Sequence, residues 1–209
     1  SLPKKTTLSY DKKDNGGNGF YTNVIYIKGT NRSNSESILR NGIKVKSSNK
    51  KVISTKTFEK DYYLIADNNQ VGIGVKLKKT GSTKITAKFK YRGKTYSVKT
   101  TVKVIKYSNP FKKIVVDGRD CTSDFKNKNE SSISFMGRNI KITPNKNWRV
   151  KSIYTYKPGA TKMKKVKGSS VTIPTNYRAF ITMENKKNKL TEKVTFDETD
   201  TSEDPGFIF

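Results

Sequence analysis

Four short stretches hold the residues best able to do chemistry: D-K-K-D-N-G-G-N-G at 11–19, the lysine-rich run from Lys84 to Lys103, G-K-T at 93–95 inside it, and D-G-R-D-C-T-S-D at 117–124. The G-K-T tripeptide spells the end of a phosphate-binding loop. That loop needs a glycine five residues before Gly93, where Lys88 stands, and it must open a helix rather than sit in a hairpin turn. The run at 11–19 offers hard oxygen ligands for calcium but lacks the alternating spacing and terminal glutamate of an EF-hand. It reads as a glycine-rich loop. Asp117, Asp120 and Asp124 are close enough in sequence to suggest paired carboxylates, which glycoside hydrolysis requires across a cleft. At hairpin positions, however, aspartates are ordinarily turn formers.

The chain contains no histidine, which removes the commonest general base and the commonest zinc ligand together. Its single cysteine, Cys121, can form neither an internal disulfide nor a Cys-His nucleophile pair, and it reads as a small strand residue. The expectation is a protein that is not an enzyme, with no catalytic, cofactor-binding or metal-binding residues and no cofactor.

The lysines remain. Formal net charge is +27 over 209 residues, and arginine stands only at positions 32, 40, 92, 119, 138, 149 and 178. Arginine forks onto phosphates and guanine edges whereas lysine acts as a point charge, so base-specific reading is disfavoured. A charge of this size attracts any polyanion. Lysine-rich, arginine-poor usage is also what an AT-rich genome yields, which gives a solvated, self-repelling surface with no ligand. From Lys84 to Val104 the two parities separate. Ile85, Ala87, Phe89 and Tyr91 fall on one side, continued after a turn at 92–95 by Tyr96, Val98, Thr100, Val102 and Val104. Lys84, Lys88, Lys90, Lys99 and Lys103 fall on the other and are the candidate polyanion contacts. Successive strand side chains point to opposite faces, so the run predicts a half-buried antiparallel hairpin with a lysine wet face.

The elements around this hairpin read as strands almost throughout. Strand-like runs begin at Phe20 and recur at 43–46, 51–56, 62–66 and 71–77, with residues 1–19 ending as a loop and one helical turn at Ser35–Gly42 stopped by Gly42. The alternation breaks in I-K-Y-S-N-P-F-K-K at 105–113, which places a domain boundary there. A second series follows at 113–117, 132–136, 139–143, 148–156, 170–174, 179–183 and 190–196, with a hairpin turn at Asp117-Gly118 and Trp148 in the core. The end of the chain is acidic, and it either hangs loose or folds back on the basic body. The fold class is therefore all-β: two consecutive immunoglobulin-like β-sandwich domains, residues 1–106 with an N-terminal loop and 107–209 with an acidic C-terminal tail.

Within residues 43–104, V-K-S-S-N-K-K-V-I-S at 45–54, the strand G-S-T-K-I-T-A at 81–87 and the closing T-T-V-K-V at 100–104 resemble the bacterial immunoglobulin-like domain of the group 2 type. Val45 stands where that family commonly has an aromatic, and the insert at 58–70 is longer than usual. The resemblance implies a β-sandwich used as a spacer or adhesion module in secreted and surface proteins of bacteria, and it carries over no site residues. The second domain resembles an immunoglobulin-like sandwich only loosely.

The reading is a non-catalytic module of an exported bacterial cell-surface protein, its signal peptide removed, acting in adhesion or structural display. Its expected partners are anionic glycans, teichoic acid or host surface polymers. No run approaches the roughly 18 apolar residues of a membrane span. One rival is a non-specific nucleic-acid-binding protein, which requires exposed aromatics interleaved with cations. Phe89, Tyr91, Tyr96 and Trp148 share parity with aliphatic residues and are expected in the core instead. A carbohydrate-binding module is the other rival, and it requires aromatic rings exposed in a row, such as Tyr62, Tyr63, Tyr154 and Tyr156.

Overall fold

The computed structural model describes residues 1–12, 24–30, 32–54, 71–128, 139–160 and 162–197. The chain divides into two units, Ser1–Tyr107 and Ser108–Phe209, and both are all-β apart from one helix and one 3₁₀ turn among the described residues. The strands expected at 62–66 and 132–136, the insert at 58–70, most of the loop at 11–19 and the acidic tail beyond Asp197 lie outside the described residues.

In the first unit the order is β1 (Lys5–Tyr10), β2 (Val24–Tyr26), α1 (Arg32–Asn41), β3 (Ile43–Ser47), β4 (Ile53–Ser54), β5 (Gly72–Gly74), β6 (Lys76–Leu77), β7 (Gly81–Tyr91) and β8 (Lys94–Lys106). One sheet runs β1-β8-β7-β3, and β2 with β5 and β4 with β6 form two-stranded pairs. Helix α1 ends where expected: Gly42 takes a φ of +74° and its N–H donates to the Leu39 carbonyl at 3.0 Å, the left-handed stop that glycine makes cheaply. The inward faces of β3, β7 and β8 meet Ile25, Ile38, Val52, Ile53 and Ile73 in one apolar core.

Residues 1–10 depart from the loop expected there. β1 pairs parallel with β8, from Lys5 opposite Thr101 to Tyr10 opposite Lys106. A parallel partner nearly a hundred residues away leaves no local turn signal, so nothing nearby in sequence announces the strand. The turn between β7 and β8 is also shorter than expected. Only Arg92 and Gly93 occupy it, at φ of +48° and +73°, and Tyr91 faces Lys94. Two central residues at positive φ match the right-handed strand twist, so residues 94 and 95 belong to β8.

The segments that carry the family resemblance meet in a hydroxyl clasp. Thr83 Oγ1 lies 2.9 Å from Ser47 Oγ and 3.2 Å from Ser48 Oγ, and it accepts the Asn49 N–H at 2.9 Å. The Lys84 N–H donates to Ser48 Oγ at 2.9 Å. Gly81 opens the same strand at a φ of +145°, and a Cβ there would meet Val52 Cγ2 at 2.8 Å. S-S-N and G-S-T are thus packing and turn chemistry, joined through Thr83.

The second unit contains β9 (Phe111–Val116), β10 (Arg119–Asp120), a 3₁₀ turn at Thr122–Phe125, β11 (Asn139–Pro144), β12 (Trp148–Tyr156), β13 (Lys164–Val166), β14 (Ser170–Thr172), β15 (Arg178–Asn185) and β16 (Thr191–Asp197). Two four-stranded sheets run β10-β9-β11-β14 and β13-β12-β15-β16. Each buries one face: Ile114, Ile140 and Ile142 from the first, Ile153, Ile181 and Phe196 from the second. Phe111 and Phe125 meet edge to face at 4.7 Å. Trp148 is buried, as expected. Cys121 is buried too, but it follows β10 and precedes the 3₁₀ turn instead of lying within a strand.

Candidate polyanion-binding face

All five candidate lysines, Lys84, Lys88, Lys90, Lys99 and Lys103, are exposed on one face of the β1-β8-β7-β3 sheet. Strand pairing adds three more. Lys44 stands directly opposite Lys88, Lys46 is opposite Thr86, and Lys5 is opposite Thr101. The face therefore carries eight lysines across four strands, with Ser and Thr between them and no carboxylate at any outward position. Neighbouring strands lie about 4.8 Å apart and same-face residues about 6.8 Å apart along a strand, so the ammonium groups form a two-dimensional lattice. None of the eight makes an ion pair among the described residues. Like charges directly opposite each other, as at Lys44 and Lys88, work against the sheet.

Two further features lie beyond what parity reading finds, the second on the opposite face of the sheet. From Asn68 to Val116 the chain has thirteen Lys and Arg and no Asp or Glu. At the far end of the hairpin, Tyr96 is 42% exposed, against the expectation that it lies in the core. Parity puts Tyr96 beside Phe89, which is 8% exposed, and the two rings do stack, 5.6 Å apart and 14° from parallel. Cover is what Tyr96 lacks. β1 begins pairing with β8 only at Thr101, and β3 pairs with β7 only as far as Phe89, so among the described residues no strand flanks the end of the hairpin. Tyr91 is half-buried, with the Arg92 guanidinium carbon 5.3 Å from its ring centroid. Thr95 and Lys94 are exposed in the first residues of β8, so the G-K-T of the sequence opens no helix and frames no phosphate loop.

The aspartates of the second unit are held in turns. The Asp117 carboxylate accepts the Asn139 backbone N–H at 2.8 Å. Asp120 accepts the Thr122 hydroxyl at 2.6 Å and its N–H at 3.0 Å, and the Thr122 hydrogen bonds hold its carboxyl below the usual range. Burial, reinforced by the charge of Asp124, pushes the Cys121 thiol up, away from the reactive thiolate. Glu184, missed by sequence reasoning, has a strongly perturbed carboxylate. It accepts from Lys151 Nζ at 2.9 Å and Arg149 Nε at 3.0 Å, and these bonds pull it down to about 2. Tyr154 and Tyr156 are half-buried on one face of β12, with Phe180 6.4 Å from Tyr156, rather than exposed in a row. Tyr62 and Tyr63 lie outside the described residues. No group of three His, Cys, Asp or Glu is placed to hold a metal, and no helix is long and apolar enough to cross a membrane, among the described residues.

No family model matches the chain, and no curated protein does. Among solved structures it is similar to domains 7, 8 and 9 of the S-layer protein SbsC, at 14% identity over 96% of this chain and 64% of that one, with a TM-score of 0.27. It is also similar to the N-terminal four immunoglobulin domains of Dscam1 isoform 7.44, at 13% identity over 92% of this chain and 49% of that one, with a TM-score of 0.26. The chain thus spans less than two thirds of either. Superpositions this loose carry no argument about its sites, and its all-β class rests on its own strands.

Proposed function

We propose that this chain is a non-catalytic, immunoglobulin-like β-sandwich module of an exported bacterial cell-surface protein, serving adhesion or structural display, and that it holds anionic polymers on the lysine face of its first unit. One observation carries the reading: eight lysines and no carboxylate on the exposed face of a single four-stranded sheet. The candidate partners are anionic glycans, teichoic acid and host surface polymers, because lysines without arginine recognise charge density rather than a planar group. The non-catalytic part is supported by the lack of histidine and by the employment of Asp117 and Asp120 as turn acceptors.

The test is a titration of heparin, teichoic acid and duplex DNA at low and at physiological salt, with wild type and with Lys84, Lys88 and Lys99 changed together to Gln. Counterion release makes the logarithm of affinity fall with the logarithm of salt by about 0.9 per duplex phosphate neutralised. The triple variant is expected to bind all three polymers more weakly and to show a shallower salt slope for DNA. Unchanged affinity and slope would remove the lysine face from the reading.

A further inference from the structure

We propose that Asn41, followed by Gly42, is a site of spontaneous deamidation that the native end of α1 holds unreactive, and that conversion there after unfolding keeps the first unit from regaining its fold. Asparagine before glycine is prone to this reaction because glycine has no side chain to shield its nitrogen. The Gly42 backbone nitrogen attacks the side-chain carbonyl carbon of Asn41, so a new N–Cγ bond forms and the Cγ–Nδ2 bond breaks. Nδ2 leaves as ammonia, taking the Gly42 amide proton, and a succinimide remains. Water, the one co-reactant, then opens the ring at either carbonyl. The product is aspartate, or an isoaspartate whose main chain runs through Cβ and Cγ.

Both reacting groups are tied down in the fold. Asn41 is the last residue of α1 and is exposed, yet its Nδ2 donates to the Ser37 carbonyl at 2.8 Å, one turn back toward the start of the helix. Helical side chains lean that way. The attacking nitrogen lies in the other direction, and its N–H is committed as well: Gly42 donates to the Leu39 carbonyl at 3.0 Å, while its φ of +74° turns the chain out of the helix. Ring closure therefore waits until the last turn of α1 opens. The products do not suit the segment. β3 follows Gly42 at once, and its first residue, Ile43, is buried opposite Phe89. An isoaspartate inserts a backbone carbon immediately before that pair and breaks the register of β3 with β7, on which the burial of Ile43 depends. Aspartate keeps the chain length but puts a carboxylate at the negative end of the helix, where the amide had donated to the Ser37 carbonyl.

The experiment ages the full chain at mildly alkaline pH, with and without denaturant, and follows by mass spectrometry the tryptic peptide Asn41–Lys44, released after Arg40. In denaturant Asn41 is expected to convert at a rate like that of Asn15 and Asn18, which also precede glycine. Without denaturant its conversion is expected to be at least about tenfold slower, since only locally opened molecules react. Equal rates in the two conditions would overturn the protection. When denaturant is removed from the aged chain, the share that refolds is expected to fall as modified Asn41 accumulates, and the refolded fraction should hold severalfold less modified peptide than the fraction that stays unfolded. Equal modification in the two fractions would overturn the link to refolding. Asn41→Gln keeps an amide but must close a larger, more slowly formed ring, and it is expected to refold after ageing better than wild type. An equal loss of refolding in both proteins would assign the damage to other residues and overturn the proposal in the same way.

Discussion

Glu184 shows how much a single side chain can depend on partners far away in sequence. Its carboxylate is pulled down to about 2 by hydrogen bonds from Lys151 and then Arg149, against a smaller opposing effect of burial. The unfolded carboxyl titrates near 4.3. Because the folded value is the lower one, the stabilisation is fully present above the unfolded pKa and is lost as pH falls through about 2. Glu184→Gln is expected to lower the thermal midpoint at neutral pH and to flatten its decline from about pH 4.5 downward. An unchanged acid limb in the variant would show that the ion triad contributes nothing. Nothing local predicts this triad: Arg149 and Glu184 sit 35 residues apart, and Lys151 is the unpaired residue where the β12–β15 register shifts between Val150 and Ser152. Cys121, read from the sequence as a small strand residue, lies between β10 and the 3₁₀ turn and is buried, and its thiol gives a second check. A maleimide reagent should label it only once the second unit is unfolded; rapid labelling of the native protein would contradict the burial.

Elements were readable wherever alternation and turn chemistry agree. The β7–β8 hairpin, the Asp117-Gly118 turn and the stop of α1 at Gly42 all follow from residues within a few positions of one another. β1 was not readable, and neither was the exposure of Tyr96, because both depend on where a neighbouring strand starts or stops. Parity tells which face a residue takes but not whether anything covers that face. Phe89→Ala is expected to cost about 3 kcal/mol, the low end for a large core truncation, since Phe89 lies near the uncovered end. Lys88→Gln should change stability by no more than about 0.5 kcal/mol, and in the favourable direction, because it relieves the direct opposition to Lys44. Thr83→Val keeps the shape but removes the hydroxyl that bonds Ser47, Ser48 and the Asn49 N–H, leaving Asn49 only its 3.3 Å bond to Ser47 Oγ. A loss of about 1–3 kcal/mol is expected by denaturant unfolding. A neutral result there would mean that the S-S-N and G-S-T segments are held by packing alone.

The whole molecule is two strand-built units in one chain, and each carries its own apolar core. Residues 1–107 and 108–209, produced separately, are expected to unfold cooperatively on their own, with loss of both transitions as the contrary outcome. At +27 the intact chain also repels itself, so its thermal midpoint should rise as salt is raised from about 0.01 to 0.15 M, where screening shortens from about 30 to 8 Å. The parallel ladder between β1 and β8 has a mechanical consequence. Hydrogen bonds from the Thr101 N–H to the Lys4 carbonyl and from the Tyr107 N–H to the Tyr10 carbonyl continue the six-residue register at both ends. Tension applied through the two chain ends of this unit pulls β1 and β8 in opposite directions along their shared axis. The ladder is then loaded in shear, and its bonds must give way together instead of peeling one at a time. A module strung between an anchor and a load would resist stretching as a clamp does. Moving the points of attachment so that the same strands are pulled apart sideways should make it yield at a much lower force.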